Sequence, residues 1–199
     1  MPSTTPASLH RVLGIDPGLN ITGYGVLDVT TAGPKLCEAG VVRGTTRKCL
    51  MTRLAEIHAG LVEVIQATQP AAMALEQLYS HYERPRTAIL MGHARGVICL
   101  AAAQAGIPVI NYSATQVKKV LTGNGRAPKA QVQQAVQQEL RLTGLPEPPD
   151  VADALAIALC HYYLRRSAAI RAEASKPLPR RPAISRRATE SHRLEEGRE

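Results

Sequence analysis

Two short apolar runs in this sequence each end on a carboxylate: Val12-Leu-Gly-Ile15 leads into Asp16, and Ala71-Ala-Met-Ala-Leu75 leads into Glu76. Runs this short and this apolar read as buried strands rather than helices. An acid ending such a strand must lie at the rim of a sheet, because a carboxylate beside a core is costly unless it is paired or bound to a cation. That constraint already favours a sheet covered on both faces, with chemistry at one edge.

The rest of the chain fits the same frame. Arg11–Asp16, Ile21–Val29 and Leu36–Val42 read as three strands of an antiparallel meander, with turns at Pro17-Gly18 and Gly33-Pro34. From Lys48 to Gln69 the apolar period lengthens to that of a helix, and Pro70 ends it. Ala71–Leu75 is a fourth strand. A polar connector, Ser80–Arg86, leads into a long helix through Ala105, and Gly106–Ile110 is a fifth strand. Ser113 caps a helix to Leu121, Pro128 starts one to Leu142 that Gly144 closes, and the last runs from Asp150 to about Arg166. The glycine stretch Thr122–Ala127 reads as a flexible loop. The expected architecture is α/β, a five-stranded mixed β-sheet flanked by α-helices.

Length permits one main domain, residues 11–167, after a disordered leader over 1–10 and before a basic, disordered tail over 168–199. With six Tyr and no Phe or Trp, the core has to be aliphatic. The net charge of +8 is uneven: residues 1–164 hold 14 Lys+Arg against 11 Asp+Glu, residues 165–199 hold 10 against 5. The tail is therefore either a DNA tether or a solubility segment. A basic excess suits a polyanionic partner. The N-terminus lacks a signal-peptide pattern and no apolar run reaches membrane-spanning length, so no membrane partner is expected. The four Cys are too scattered for a zinc or redox site, in keeping with free thiols in a cytoplasmic protein.

Asp150 and Asp153, three apart, share one face of their helix. With Asp16 and Glu76 they make four acids, all hard-oxygen donors. Such donors suit Mg²⁺ or Mn²⁺, two ions about 4 Å apart being able to hold a scissile phosphate between them. Spacing alone equally allows Asp16 as a turn residue, Asp150 as a helix cap and Glu76 as a loop start.

The full strings narrow this. Val12-Leu-Gly-Ile-Asp-Pro-Gly-Leu-Asn-Ile-Thr-Gly-Tyr-Gly-Val26, Leu75-Glu-Gln-Leu-Tyr79, Gly92-His-Ala-Arg-Gly96 and Asp150-Val-Ala-Asp-Ala-Leu-Ala156 together resemble the RuvC family of Holliday-junction resolvases. The resemblance runs from about Arg11 to Tyr163 and implies a ribonuclease H-like fold. It makes Asp16, Glu76, Asp150 and Asp153 the catalytic carboxylates that bind Mg²⁺, two ions per subunit, with Mn²⁺ as a substitute. It makes Lys118 and Lys129 contacts to backbone phosphates or aids to catalysis. Tyr79 stands where the family usually carries a base-stacking Phe. The implied activity is paired symmetric nicking of four-way DNA junctions in recombination and repair, by a homodimer working with a branch-migration complex of the RuvA and RuvB type.

Other residues admit two readings. Lys118, Lys119, Arg126 and Lys129 bracket the glycine loop either as phosphate contacts or as solvated helix ends. Tyr79, His81 and Tyr82, followed by Arg84 and Arg86, have a composition suited to unpaired nucleotides, although Tyr82 equally suits a sheet edge. His58 and His93 read as surface or satisfied histidines. Gly92 and Gly96 weaken their helix, which points to close packing within the subunit or across a two-fold axis, or else to a tolerated irregularity. Competing functions are a ribonuclease or general nuclease on the same fold and a non-catalytic junction-binding protein. A phosphotransfer enzyme of the related ATPase folds is disfavoured by the lack of a nucleotide-binding glycine loop.

Overall fold

Residues of alternating apolar character build the first half of the sheet. In the computed structural model, which describes residues 8–78 and 85–174, β1 (Ser8–Asp16), β2 (Ile21–Thr30) and β3 (Gly33–Arg43) form the antiparallel meander. α1 (Leu50–Thr68) returns the chain to β4 (Ala72–Glu76), which pairs parallel with β1, and α2 (Pro85–Gln104) returns it to β5 (Val109–Tyr112), parallel with β4. α3 (Ala114–Thr122), α4 (Lys129–Glu139) and α5 (Pro149–Ala174) complete the described residues. The strand order β3-β2-β1-β4-β5 is the mixed five-stranded sheet expected.

Strand parity divides the core. Leu13, Ile15, Val26, Met73 and Leu75 pack with Ile57, Leu61 and Ile98 on the α1 and α2 side. Val12, Leu27, Ala74 and Tyr112 pack with Val117, Val136, Leu155 and Leu159 on the α3, α4 and α5 side. Both clusters are chiefly aliphatic. Because successive side chains alternate faces, Asp16 shares the face of Val12, and Glu76 that of Ala74. The register Ile15↔Leu75 then sets the two acids side by side at neighbouring strand ends.

α5 reaches these acids because β1 and β2 offer it glycine. A Cβ on Gly14 would stand 2.2 Å from the Ala154 carbonyl oxygen, and one on Gly23 2.1 Å from that of Asp150. Only a bare backbone admits such an approach.

Several boundaries differ from the sequence reading. β1 starts at Ser8, within the expected leader, because β2 extends to Thr30 and supplies a partner there. The hairpin turns at Thr31 and Ala32, so Gly33 and Pro34 lie in β3, an edge strand that tolerates proline. α4 ends near Leu140, short of Gly144, with Arg141 at φ 52. The expected domain boundary at 167 falls inside α5, since Ser167-Ala-Ala-Ile-Arg-Ala-Glu-Ala174 is rich in helix formers. The rest of the tail, and residues 1–7, lie outside the described residues. The Thr122–Ala127 loop is pinned rather than loose: Asn124 Oδ1 accepts from the Arg126 N–H, and the Ala127 N–H donates to the Asn124 carbonyl.

Candidate active site

Parallel pairing turns the C-terminal ends of β1, β4 and β5 toward one edge, and the first turns of α3, α4 and α5 complete a cleft there. Its volume is about 260 Å³, and Asp16, Glu76, Lys118, Lys129 and Asp153 line it with Val117, Val132, Ala156 and Ile157. An apolar wall behind carboxylates lowers the local dielectric and strengthens every charge interaction inside.

Asp16 and Glu76 stand close enough that one carboxyl, when protonated, can donate to the other. Burial, the Glu76 charge and that hydrogen bond raise the Asp16 carboxyl far above its ordinary range, with further repulsion from Asp153 and Asp150. Burial also raises Glu76, and the Asp153 charge adds to it, while the Asp16 hydrogen bond and the charges of Arg95 and Lys118 oppose the rise. Neighbouring carboxylates resist ionising together without a counter-charge, so the pair as a unit holds a proton more tightly than a free carboxylate would when no cation is bound. This is the behaviour of a donor set that suits a hard divalent cation.

The fourth carboxylate has a cationic partner in the protein itself. Lys129 Nζ donates to Asp153 Oδ2 at 2.6 Å, and that hydrogen bond holds the ammonium in its charged form. Among the described residues no three His, Cys, Asp or Glu side chains close into a ready-made metal cage. Asp150 stands in the first turn of α5, against Gly23 and outside the lining of the cleft.

Of the expected site residues, the structure thus gathers Asp16, Glu76, Asp153, Lys118 and Lys129, with Asp150 one helical turn from Asp153. Arg86 is exposed in the first turn of α2 and does not line the cleft. Tyr79 and Arg84 lie outside the described residues, as do His81 and Tyr82. His58 shares a hydrogen bond with Gln104, and His93 one with the Ile89 carbonyl, matching their satisfied reading. Sequence reasoning missed Arg95, whose guanidinium donates to the Glu76 carbonyl. The signal available was a lone Arg in the helix segment 87–104, which holds no other Lys, Arg, Asp or Glu.

Comparison with known proteins agrees with this geometry. Residues 12–161 match the family described as Crossover junction endodeoxyribonuclease RuvC. A protein of that name from Rhodopirellula baltica is 62% identical over 161 residues, covering 80% of this chain and 89% of the relative. One from Moorella thermoacetica is 46% identical over 158 residues, covering 75% and 89%. Among solved structures, Thermus thermophilus RuvC superposes with a TM-score of 0.72 at 38% identity, covering 79% of this chain and 96% of that one. T. thermophilus RuvC in complex with a Holliday junction substrate gives 0.73 at 37% identity, with the same coverage. The sheet order, its flanking helices and these superpositions identify the ribonuclease H-like fold. A match this long, spanning every strand of the sheet and every acid of the cleft, leaves one conclusion: the chain belongs to the RuvC family of crossover junction endodeoxyribonucleases.

Proposed function

We propose that this chain hydrolyses phosphodiesters in four-way DNA junctions, nicking two strands symmetrically in homologous recombination and DNA repair. The observation that carries the reading is the Asp16 and Glu76 pair, set side by side at strand ends and raised chiefly by burial, with Asp153 across the same cleft. The relatives' shared name and the T. thermophilus complex with a Holliday junction support it.

Asp16, Glu76, Asp150 and Asp153 would hold the divalent metal, Mg²⁺ in our reading and two ions per subunit, with Mn²⁺ able to serve. Such ions, when bound, activate a water and neutralise charge on the leaving oxygen. The protein's part is to hold the carboxylates on rigid strand ends, so that little reorganisation accompanies the reaction. Lys118 and Lys129 face the same cleft and would draw the scissile phosphate past the acids. Lys129 then exchanges Asp153 for a phosphate oxygen, leaving that carboxylate free for metal. Tyr79 would stack on a base near the cut, and Arg84 and Arg86 would meet flanking phosphates.

In the cell, the reading is of a cytoplasmic homodimer working with a branch-migration complex of the RuvA and RuvB type. Among the described residues no helix is long and apolar enough to cross a membrane. The test compares a synthetic four-way junction with a linear duplex of the same sequence, with and without Mg²⁺. Paired nicks confined to the junction and lost with EDTA are expected, and Asp16→Asn should bind the junction without cutting it. Equal cutting of the duplex, or full cutting by Asp16→Asn, would overturn the assignment.

A further inference from the structure

Arg95 is the only Lys, Arg, Asp or Glu between residues 87 and 104, and it sits half-buried between Ala94 and Gly96 on α2. Its fork has two acceptors. Nη1 donates to the backbone carbonyl of Glu76, and Nη2 donates to Asn111 Oδ1 at 2.7 Å. Asn111 is the β5 partner of Leu75, so one planar group extends from a helix to the ends of two parallel strands. Directly beyond, the Gln77 N–H donates to the Tyr112 carbonyl at 2.8 Å, which keeps β4 and β5 paired past Glu76.

Among the described residues both acceptors of Arg95 are neutral, and it belongs to none of the ion pairs formed by Arg11, Lys48 and Lys129. A guanidinium committed to neutral oxygens at the foot of a carboxylate cluster still acts on that cluster by its charge, which favours the ionised form of Glu76. The carbonyl it holds belongs to Glu76, the residue whose side chain leans on Asp16. Fixing that peptide leaves the Glu76 carboxylate only its own side-chain torsions, and partners that orient metal-binding groups commonly govern affinity as strongly as the ligands do.

We propose that Arg95 and Asn111 form a positioning clamp for the nuclease site, presetting Glu76 beside Asp16 to receive the divalent ion. The clamp rests on the metal-dependent nuclease reading above. Its geometry needs a fork: a lysine ammonium keeps the charge but cannot match the guanidinium's rigid, planar pair of donors.

The full-length protein, free of DNA, is titrated with Mn²⁺ and followed by electron paramagnetic resonance. Cleavage against Mg²⁺ concentration, junction affinity in EDTA and thermal stability are measured alongside. For Arg95→Lys and Asn111→Ala, the Mn²⁺ concentration for half-saturation is expected to rise about tenfold or more, with a comparable fall in kcat. Junction affinity in EDTA should stay within about twofold of the parent, since the clamp bonds the Glu76 main chain and leaves Lys118 and Lys129 in place. Asn111→Ser, which retains a neutral acceptor on a shorter side chain, should recover part of the Mn²⁺ affinity lost in Asn111→Ala. Unchanged Mn²⁺ affinity and kcat in Arg95→Lys would overturn the clamp while leaving the nuclease reading intact. Parallel losses of stability, junction affinity and activity would overturn it too, showing that Arg95 merely fastens α2 to the sheet. A parent protein that binds no Mn²⁺ and cuts no junction would sink the nuclease reading and the clamp together.

Discussion

Asp153 has one carboxylate and two prospective partners, the Lys129 ammonium and a divalent ion. With side chains 55% and 31% exposed, the Lys129–Asp153 pair is partly hydrated and therefore weak enough to exchange. This suits a side chain that must leave a carboxylate for a phosphate. Lys129→Ala is expected to lower cleavage at least tenfold and to reduce the salt dependence of junction affinity by about one counterion. Filter binding across a salt series, with single-turnover cleavage, checks both, and an unchanged slope would leave Lys129 as a mere counter-charge for Asp153. At this scale Asp16, Glu76 and Asp153 stood out because each breaks an apolar run, whereas Asp150, after Glu147-Pro-Pro149, reads as well as a helix cap, and only the family resemblance set the four together. Arg95 was not, since its partners are a main-chain carbonyl and an amide brought together only by β4 and β5 pairing.

α5 lies on bare backbone of β1 and β2, and this brings Asp153 within reach of Asp16. Gly14→Ala would drive a methyl group into the Ala154 carbonyl and the Ala158 amide, both main-chain atoms that cannot turn aside. The expected loss is about 3 kcal/mol or more, read by chemical denaturation, with cleavage falling further than stability because the acids separate. A second property of α5 is pH dependence. His161 is 4% exposed and shares a hydrogen bond with the Tyr112 hydroxyl at 2.9 Å. Burial, then the charges of Arg165 and His10, push its imidazole down to about 4. The unfolded chain takes up this proton near pH 6.5 and the folded one only near 4. Its contribution, up to about 3 kcal/mol at about 1.4 kcal/mol per unit, is therefore full above pH 6.5 and lost as pH falls toward 4. Denaturation of the parent and His161→Asn across that window should give a steeper pH slope in the parent; equal slopes would refute it. The elements themselves were readable from period and caps, Ser113 accepting from the Gln116 N–H as expected. Their ends were less so, because β1 and α5 extend where pairing and helix propensity outlast the composition that suggested disorder.

Across the whole molecule, one face of α2 is left without a partner among the described residues. Ile89 is 60% exposed and Leu100 49%. Leu54, Ile89, Gly92, His93, Gly96 and Val97 line a shallow groove there, and a Cβ added to Gly92 or Gly96 would meet nothing within 4 Å. Packing among the described residues therefore does not account for these glycines, which leaves packing across a two-fold axis or a tolerated irregularity of the helix. The occupant we expect is a second copy of this chain, its own α2 entering where the missing side chains make room. Symmetry of the substrate argues the same way: one cleft makes one cut, while resolving a four-way junction takes two cuts related as the two sites of a C₂ dimer are related. Ile89→Glu places a charge at the centre of that contact and should convert a dimer into a monomer in analytical ultracentrifugation, with the cleft and its Mn²⁺ affinity preserved. On a supercoiled cruciform the variant should then leave single nicks where the parent makes paired ones. A parent that sediments as a monomer and still resolves the cruciform by paired cuts would show that the α2 groove serves something other than a second subunit.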